Sequence, residues 1–234
     1  MINENAPLPD DIFAKLPGAD AVMSHAVSVD SGRWQRALAT RDLRPAEGKL
    51  DSGQHISVTR KEVFDLGDQT PTAANAFQLL YYSLAWGLGT RAPRLHQRLD
   101  SLAAQEENAG QLLLDAWTLV RDGAPTRKAY AALTSNRGAG RIPWFGPAFS
   151  TKFLYFAQGS AARPRHVILD QVVAKNLRPD AWPQAPTAGW WPETYERYSR
   201  LLDRWAGEAT ERLETARRVR PDEIELTLFR RHRR

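Results

Sequence analysis

Apolar residues along this chain repeat mainly with the period of a helix. From Thr72 onward, Phe77, Leu80, Tyr81 and Leu84 fall on one helical face, a stripe that stops at Gly87 and Gly89 with Trp86 near its end. Leu95, Leu99 and Leu102 mark a second helix. Leu112, Leu113, Ala116, Trp117 and Val120 mark a third that ends near Gly123, and Pro125 opens another carrying Tyr130 and Leu133. Later, Pro179, Pro183 and Pro186 interrupt the pattern with a loop holding Trp182, Trp190 and Trp191, for which anchoring to the core is the simplest role, although exposed tryptophans could also stack on bases. Pro192 with Glu193 then starts a long helix bearing Tyr195, Tyr198, Leu202 and Trp205, and Arg220-Pro221-Asp222-Glu223 opens a last one. Strand-like alternation is confined to His55-Ile56-Ser57-Val58, after which Thr59 and Glu62 form a capping-box pattern opening a short helix through Phe64 and Leu66. Residues 1 to 50 carry one short amphipathic patch, Trp34 to Leu38, and otherwise read as irregular. The pattern predicts a mainly α fold with little β structure. An irregular and short-helix region, residues 1–70, would pack on a helical core, residues 71–234, as one compact unit.

Candidate chemistry concentrates between Ile142 and Leu177. Pro143, Gly146 and Pro147 make a rigid turn, part of a hairpin at residues 142–152, and Phe149, Phe153 and Phe156 mark the buried stripe of the helix it feeds. Taking about 100° per residue, Lys152 projects within roughly 40° of Phe156 and 60° of Phe149, at the margin of that stripe. Pro164 begins an extended run, Val167-Ile168-Leu169, which ends in Asp170 immediately before the helical pattern Gln171 to Leu177. Taken singly, each residue has an ordinary explanation. A lysine bordering apolar residues usually snorkels to solvent, and an aspartate before a helix usually caps it. Their joint placement on a hairpin, helix, loop and helix sets them apart.

That frame resembles the helix-hairpin-helix core of the base-excision DNA glycosylases, in which a Leu-Pro-Gly-apolar-Gly-x-Lys hairpin leads into a helix and a catalytic Asp opens the next one. Pro147-Ala148-Phe149-Ser150-Thr151-Lys152 takes the hairpin's place, and Asp170 follows Lys152 by 18 residues, close to the spacing in the 8-oxoguanine DNA glycosylases. Ala148 and Ser150 stand where the motif has two glycines. The resemblance implies a helix-hairpin-helix glycosylase fold, Lys152 and Asp170 as catalytic residues, and DNA-backbone contact through Gly146, Ala148, Ser150 and Thr151. It implies no required cofactor, although the family's hairpin often binds a monovalent cation through backbone carbonyls. Arg137 and Arg141, in the basic lead-in to the hairpin, could touch phosphate, though loop arginines are more often merely solvated. A second likeness lies in the last helix. There the 8-oxoguanine glycosylases present a Gln that hydrogen-bonds the base and, four residues on, a Phe that stacks on it. Glu225 and Phe229 have that spacing, with Leu228 before the Phe, and core packing is the alternative for Phe229. Residues 1 to 70 show no pattern of the family.

Composition narrows the picture. Cysteine is absent, which excludes disulfides and thiolate metal sites, including the four-Cys iron-sulfur cluster that some relatives of this superfamily carry, and so favours the 8-oxoguanine branch without a metal. Glu4, Asp10 and Asp11 stand near the start, and no apolar run suits a signal peptide or a membrane span, so the expectation is a cytoplasmic, soluble monomer that does not engage membranes. The formal charge is +5, and Arg217, Arg218, Arg220, Arg230, Arg231, Arg233 and Arg234 cluster near the C-terminus, leaving the remainder net acidic. Such a cluster suits phosphate attraction or a solvated tail equally well.

The expected function is a base-excision repair glycosylase with abasic-site lyase activity. It would bind double-stranded DNA, flip out an oxidised purine such as 8-oxoguanine, and attack the sugar through Lys152 to form a Schiff base. The alternatives are a glycosylase for modified bases of foreign DNA, and a non-catalytic helix-hairpin-helix module in which Lys152 contacts phosphate.

Overall fold

The first 70 residues hold more regular structure than their mixed sequence suggests. In the computed structural model, which describes residues 1–231, two short helices, α1 (Asp10–Phe13) and α2 (Ala19–Met23), lead into strand β1 (Ala26–Asp30) and helix α3 (Ser31–Ala39). A 3-10 turn (Gly48–Asp51) precedes β2 (His55–Thr59) and α4 (Arg60–Gly67). The expected strand at 55–58 thus has a partner in chain that reads as irregular: β1 pairs antiparallel with β2, Ala26 opposite Thr59 and Asp30 opposite His55. Five residues are too few to show a period of two against polar neighbours. Local chemistry sets the exits from both strands. Asp30 accepts the Arg33 N–H at 3.0 Å to cap α3, and the Thr59 hydroxyl and Glu62 carboxylate satisfy each other's backbone amides at 3.2 and 2.7 Å to start α4.

Helices then follow in sequence: α5 (Ala73–Leu88), α6 (Leu95–Ala103), α7 (Glu106–Arg121), α8 (Thr126–Leu133), α9 (Pro147–Ala157), α10 (Gln171–Asn176), α11 (Pro192–Arg212) and α12 (Pro221–Arg230). The fold is mainly helical, as the periodicity predicts. Every residue of α5 from Ala76 to Trp86 is buried, because α4, α7, α9 and the small sheet all pack on it. Its sequence accordingly lacks a polar face. Gly87 does not end α5. The helix runs through Leu88 and stops at Gly89, whose φ of 62° is the left-handed conformation that glycine adopts freely. Gly87 instead makes room, since a β-carbon there would lie 3.0 Å from Cδ of Lys152.

The extended segment 167–169 runs through the core without a strand beside it, yet each of its carbonyls accepts a hydroxyl: Val167 from Tyr195 at 3.1 Å, Ile168 from Tyr198 at 2.7 Å and Leu169 from Thr151 at 2.9 Å. Trp182 and Trp190 anchor their loop in the core, whereas Trp191 stays exposed. Three of the C-terminal arginines are paired within the protein. Arg231 pairs with Asp11 and Asp180, Arg220 with Asp222, and Arg217 with Glu223. Arg233 and Arg234 lie outside the described residues.

His166 is fully buried, with Nδ1 3.5 Å from the Tyr195 hydroxyl, and burial pulls its pKa from the ordinary 6.5 down to about 3. The native state holds this imidazole neutral while the unfolded chain protonates it, so its contribution to stability is complete above pH 6.5 and is lost as pH falls toward 3. Between pH 7 and pH 5 the loss from this one group is about 2 kcal/mol. In urea unfolding at those two pH values, a His166→Gln variant should lose less stability on acidification than wild type by about that amount. Equal losses would contradict the assignment.

Candidate active site

Thr151 brings the Lys152 and Asp170 segments together. Its hydroxyl donates to the Leu169 carbonyl at 2.9 Å and accepts the Leu169 N–H at 3.2 Å, clamping the end of the extended segment to α9 one residue before each side chain of interest. Asp170 then opens α10, with Oδ1 accepting the N–H groups of Val172 and Val173 at 2.9 and 3.1 Å. Capping uses only that oxygen. Oδ2 faces Lys152 Nζ at 3.4 Å, so the cap and the ion pair coexist in one carboxylate. Lys152 is buried, its stem against Gly87 and its amine 5.9 Å from the centre of the Phe149 ring.

The pair lies in a pocket of about 390 Å³, within the range of small-molecule sites. Five parts of the chain wall it: His25, Ala26 and Val27 at the start of β1; Trp86 to Gly89 at the end of α5; Lys152 on α9; Ile168 and Asp170 ahead of α10; and Glu225 with Phe229 on α12. The four residues singled out as catalytic or base-binding from sequence therefore line one cavity. Phe229 is half-buried, its ring 6.3 Å from that of His25. Residues 1 to 70, where no family pattern is visible, supply a whole wall of this pocket.

The hairpin assignments divide. Ser150 and Thr151 are buried, and the Ser150 amide donates to the Gly146 carbonyl at 3.2 Å, so both belong inside the first turns of α9 and neither presents a side chain to a DNA backbone. The Ser150 amide is thereby spent within α9. Gly146, the N-cap, and Ala148 keep amides that make no hydrogen bond among the described residues, as the first turn of a helix leaves them. A β-carbon on Gly146 would meet nothing within 4 Å, so its own fold does not demand a glycine and the space before it is open. Arg137 is exposed. Arg141 Nε donates to the carbonyls of Ala131 and Thr134, both at 3.1 Å, which makes it a brace of its own loop. The carbonyls of Ile142, Pro143 and Gly146 accept bonds from Phe145, Ser101 and Phe149. No group of His, Cys, Asp or Glu among the described residues could hold a metal ion.

Beneath the pocket lies a charge that the sequence did not single out. Arg60, fully buried at the first position of α4, sits with Nη1 2.7 Å from Glu225 Oε2 and 3.0 Å from the Tyr155 hydroxyl, which donates in turn to Asp222 at 2.8 Å. Its guanidinium carbon lies 5.0 Å from the Trp86 ring centre and 5.2 Å from that of Tyr155. Burial alone disfavours the charge, but Glu225, Tyr155 and Asp222 reverse that and hold Arg60 above the usual arginine range. For Glu225, burial pushes the pKa up against the pull of Arg60. Arg60 thus favours the charged form of a buried Glu225 without cancelling the effect of burial. Nothing adjacent to Arg60 in sequence signals this, because its partner arrives from the far end of the chain. Arg60→Leu should cost about 3–5 kcal/mol in urea unfolding, since it strands the carboxylate, and the Arg60→Leu/Glu225→Leu double variant should recover much of the loss. Equal losses in the single and double variants would contradict the pairing.

Against known protein families, residues 20–229 match the family described as "Putative 8-oxoguanine DNA glycosylase OGG-like protein". No curated protein and no solved structure matches this chain. The family match covers nearly all of the described residues, including every pocket residue named above, and the chain belongs to this OGG-like family of helical proteins.

Proposed function

We propose that this protein is a base-excision DNA glycosylase with abasic-site lyase activity, acting on an oxidised purine such as 8-oxoguanine. The observation that carries the reading is the Lys152–Asp170 pair at 3.4 Å inside a pocket that Glu225 and Phe229 also line. A base within a duplex is out of reach, so the target nucleotide is flipped into the pocket at the cost of unstacking. Phe229 offers it a face, and ionised Glu225 accepts from the two adjacent donors, N1–H and the N2 amino group, of a guanine-type edge.

Lys152 must attack as a free amine, and Asp170 is the group placed to take its proton. Nζ adds to the sugar C1′ while the C1′–N9 bond breaks, and the departing base takes up a proton. Opening of the sugar ring then leaves a C1′=N imine, and loss of a C2′ proton expels the 3′ phosphate. The charge of Asp170 also offsets the positive charge that builds on the sugar as the base departs. Undamaged guanine shows Glu225 the same two donors, so Glu225 selects the guanine class and other pocket groups sense the oxidised edge. What favours a catalytic Lys152 over one that merely contacts phosphate is that it shares its pocket with Asp170, while the open hairpin amides line a different groove.

Single-turnover excision from duplexes carrying a panel of modified bases, including bases of foreign DNA, tests the proposal. Lys152→Gln should abolish excision and strand cleavage while DNA binding remains, and Asp170→Asn should slow the chemical step far more than it weakens binding. Phe229→Ala should lose roughly 1–3 kcal/mol of base stacking, whereas the folded Glu225→Gln protein should still recognise the base because Gln accepts, at a cost in stability from leaving Arg60 without its carboxylate. A Lys152→Gln variant that excises at the wild-type rate would overturn the assignment.

A further inference from the structure

Arg60 stands behind the base pocket, fully buried, yet it touches four of the five walls. Its backbone N–H donates to the His25 carbonyl at 3.0 Å, an oxygen that also accepts the Trp86 indole N–H at 3.4 Å. Its guanidinium lies against the Trp86 ring of α5, donates to the Tyr155 hydroxyl of α9 and pairs with Glu225 of α12. The other buried carboxylate nearby, Asp222, has an arginine of its own: Arg220 reaches its two oxygens from Nε and Nη2 at 2.9 and 2.8 Å. The charge of Arg60 is therefore left for Glu225.

The pairing divides the two oxygens of Glu225. Oε2 faces Arg60 and has no access to solvent, which leaves Oε1 as the oxygen that Glu225 offers to the cavity. While Glu225 is ionised, Oε1 only accepts hydrogen bonds. A proton taken up by the carboxylate settles on Oε1, away from the guanidinium, and turns the same atom into a donor. Burial pushes the Glu225 pKa up, Arg60 pulls it down, and Asp170 and Asp222 push it up again. Burial also raises Tyr155 and Tyr198, which act on Glu225 from α9 and α11 as neutral phenols, while Lys152 and His25 reach the same cavity from α9 and from the start of β1. Among these groups Arg60 is the one in direct contact that favours the acceptor form.

We propose that Arg60 is a positioning residue that sets which class of base the pocket admits: by holding Oε2 of Glu225 it keeps Oε1 an acceptor toward the cavity, so that an oxidised guanine fits and an oxidised adenine is rejected. This rests on the functional reading above for the base as ligand. 8-Oxoguanine and 8-oxoadenine share the oxidised N7–H and C8=O side, so the choice between them falls on the opposite edge. There the first presents donors at N1 and the N2 amino group, and the second presents a lone pair at N1 and a C2–H. Oε1 accepts from the first, whereas the second leaves a buried charge facing a lone pair with no donor. Arg60 lies behind the pocket surface, so its effect on this choice passes through Glu225.

The test is equilibrium binding of the full chain to duplexes carrying 8-oxoguanine or 8-oxoadenine opposite the same base, on 2′-fluoro sugars that resist excision, with excision from ordinary duplexes followed in parallel. At about pH 7.5 wild type should prefer the 8-oxoguanine duplex by about thirtyfold, the penalty of one buried charge left without a donor. Arg60→Leu should cut that preference to about threefold, as should Glu225→Gln, whose amide can turn either end to the base. In the Arg60→Leu/Glu225→Gln double variant the preference should stay at about threefold, because Arg60 acts through Glu225. Lowering the pH to about 5.5 should reduce the wild-type preference and leave that of Glu225→Gln unchanged, a response that lost packing would not give. Equal wild-type affinity for the two duplexes, or a folded Arg60→Leu variant with the wild-type preference, overturns the proposal. If Arg60→Leu fails to fold, a wild-type preference that does not change with pH, or a double variant whose preference differs from that of Glu225→Gln, overturns it. Loss of preference in these variants of a protein that excises neither base upholds the role of Arg60 and defeats the glycosylase reading; excision of 8-oxoguanine with a preference indifferent to Arg60 does the reverse.

Discussion

Asp170 reaches Lys152 because three hydroxyl groups hold an extended apolar segment in the core with no neighbouring strand to pair it. Buried carbonyls must find donors, and here Tyr195, Tyr198 and Thr151 supply one each to Val167, Ile168 and Leu169. The segment cannot slide without breaking those bonds, so the residue that follows it is presented at a fixed height on α9. Asp170 closes the arrangement by capping α10 with one oxygen and keeping the other for Lys152. Gly87 completes it from the far side, where any side chain would press on the lysine stem.

Charge is arranged around this frame in a graded way. Arg60, without solvent access, pulls against the effect of burial on Glu225 at the pocket and is itself held by two aromatic rings and the Tyr155–Asp222 link. Lys152 and Asp170 sit higher, where a substrate can meet both. Arg98 has no carboxylate among the described residues and lies where the hairpin amides open. A buried ion pair contributes little net stability compared with apolar packing, so folding alone does not account for Arg60 and Glu225 beneath a cavity.

The features legible in the sequence were those that chemistry within a few residues decides. Helix order, the Thr59–Glu62 cap and the turn at Gly146-Pro147 depend on period and capping, which act locally. Lys152 and Asp170 stood out because their spacing on that frame matched a known pattern. The same pattern places Ser150 and Thr151 in the hairpin by position, while α9 begins at Pro147 and its turn carries both side chains inward. Gly87 read as a stop because glycine after an apolar stripe usually is one; its actual constraint, the stem of Lys152, comes from another helix. Arg60, His25 and Val27 gave no signal because their roles are set by partners distant in sequence, above all Glu225 on α12 and the turn of chain that places β1 against the end of α5. Composition likewise counts charges without showing that Arg231 meets Asp11 and Asp180.

The central claim is that the amine of Lys152 becomes covalently joined to a sugar carbon during reaction. Reduction with borohydride during incubation with damaged duplex DNA, followed by digestion and mass mapping of the cross-linked peptide, tests it directly, because only an amine nucleophile forms a reducible imine. The account predicts a single protein–DNA adduct mapped to Lys152. An adduct mapped to another lysine or to the N-terminal amine, or base release with no adduct, would contradict it.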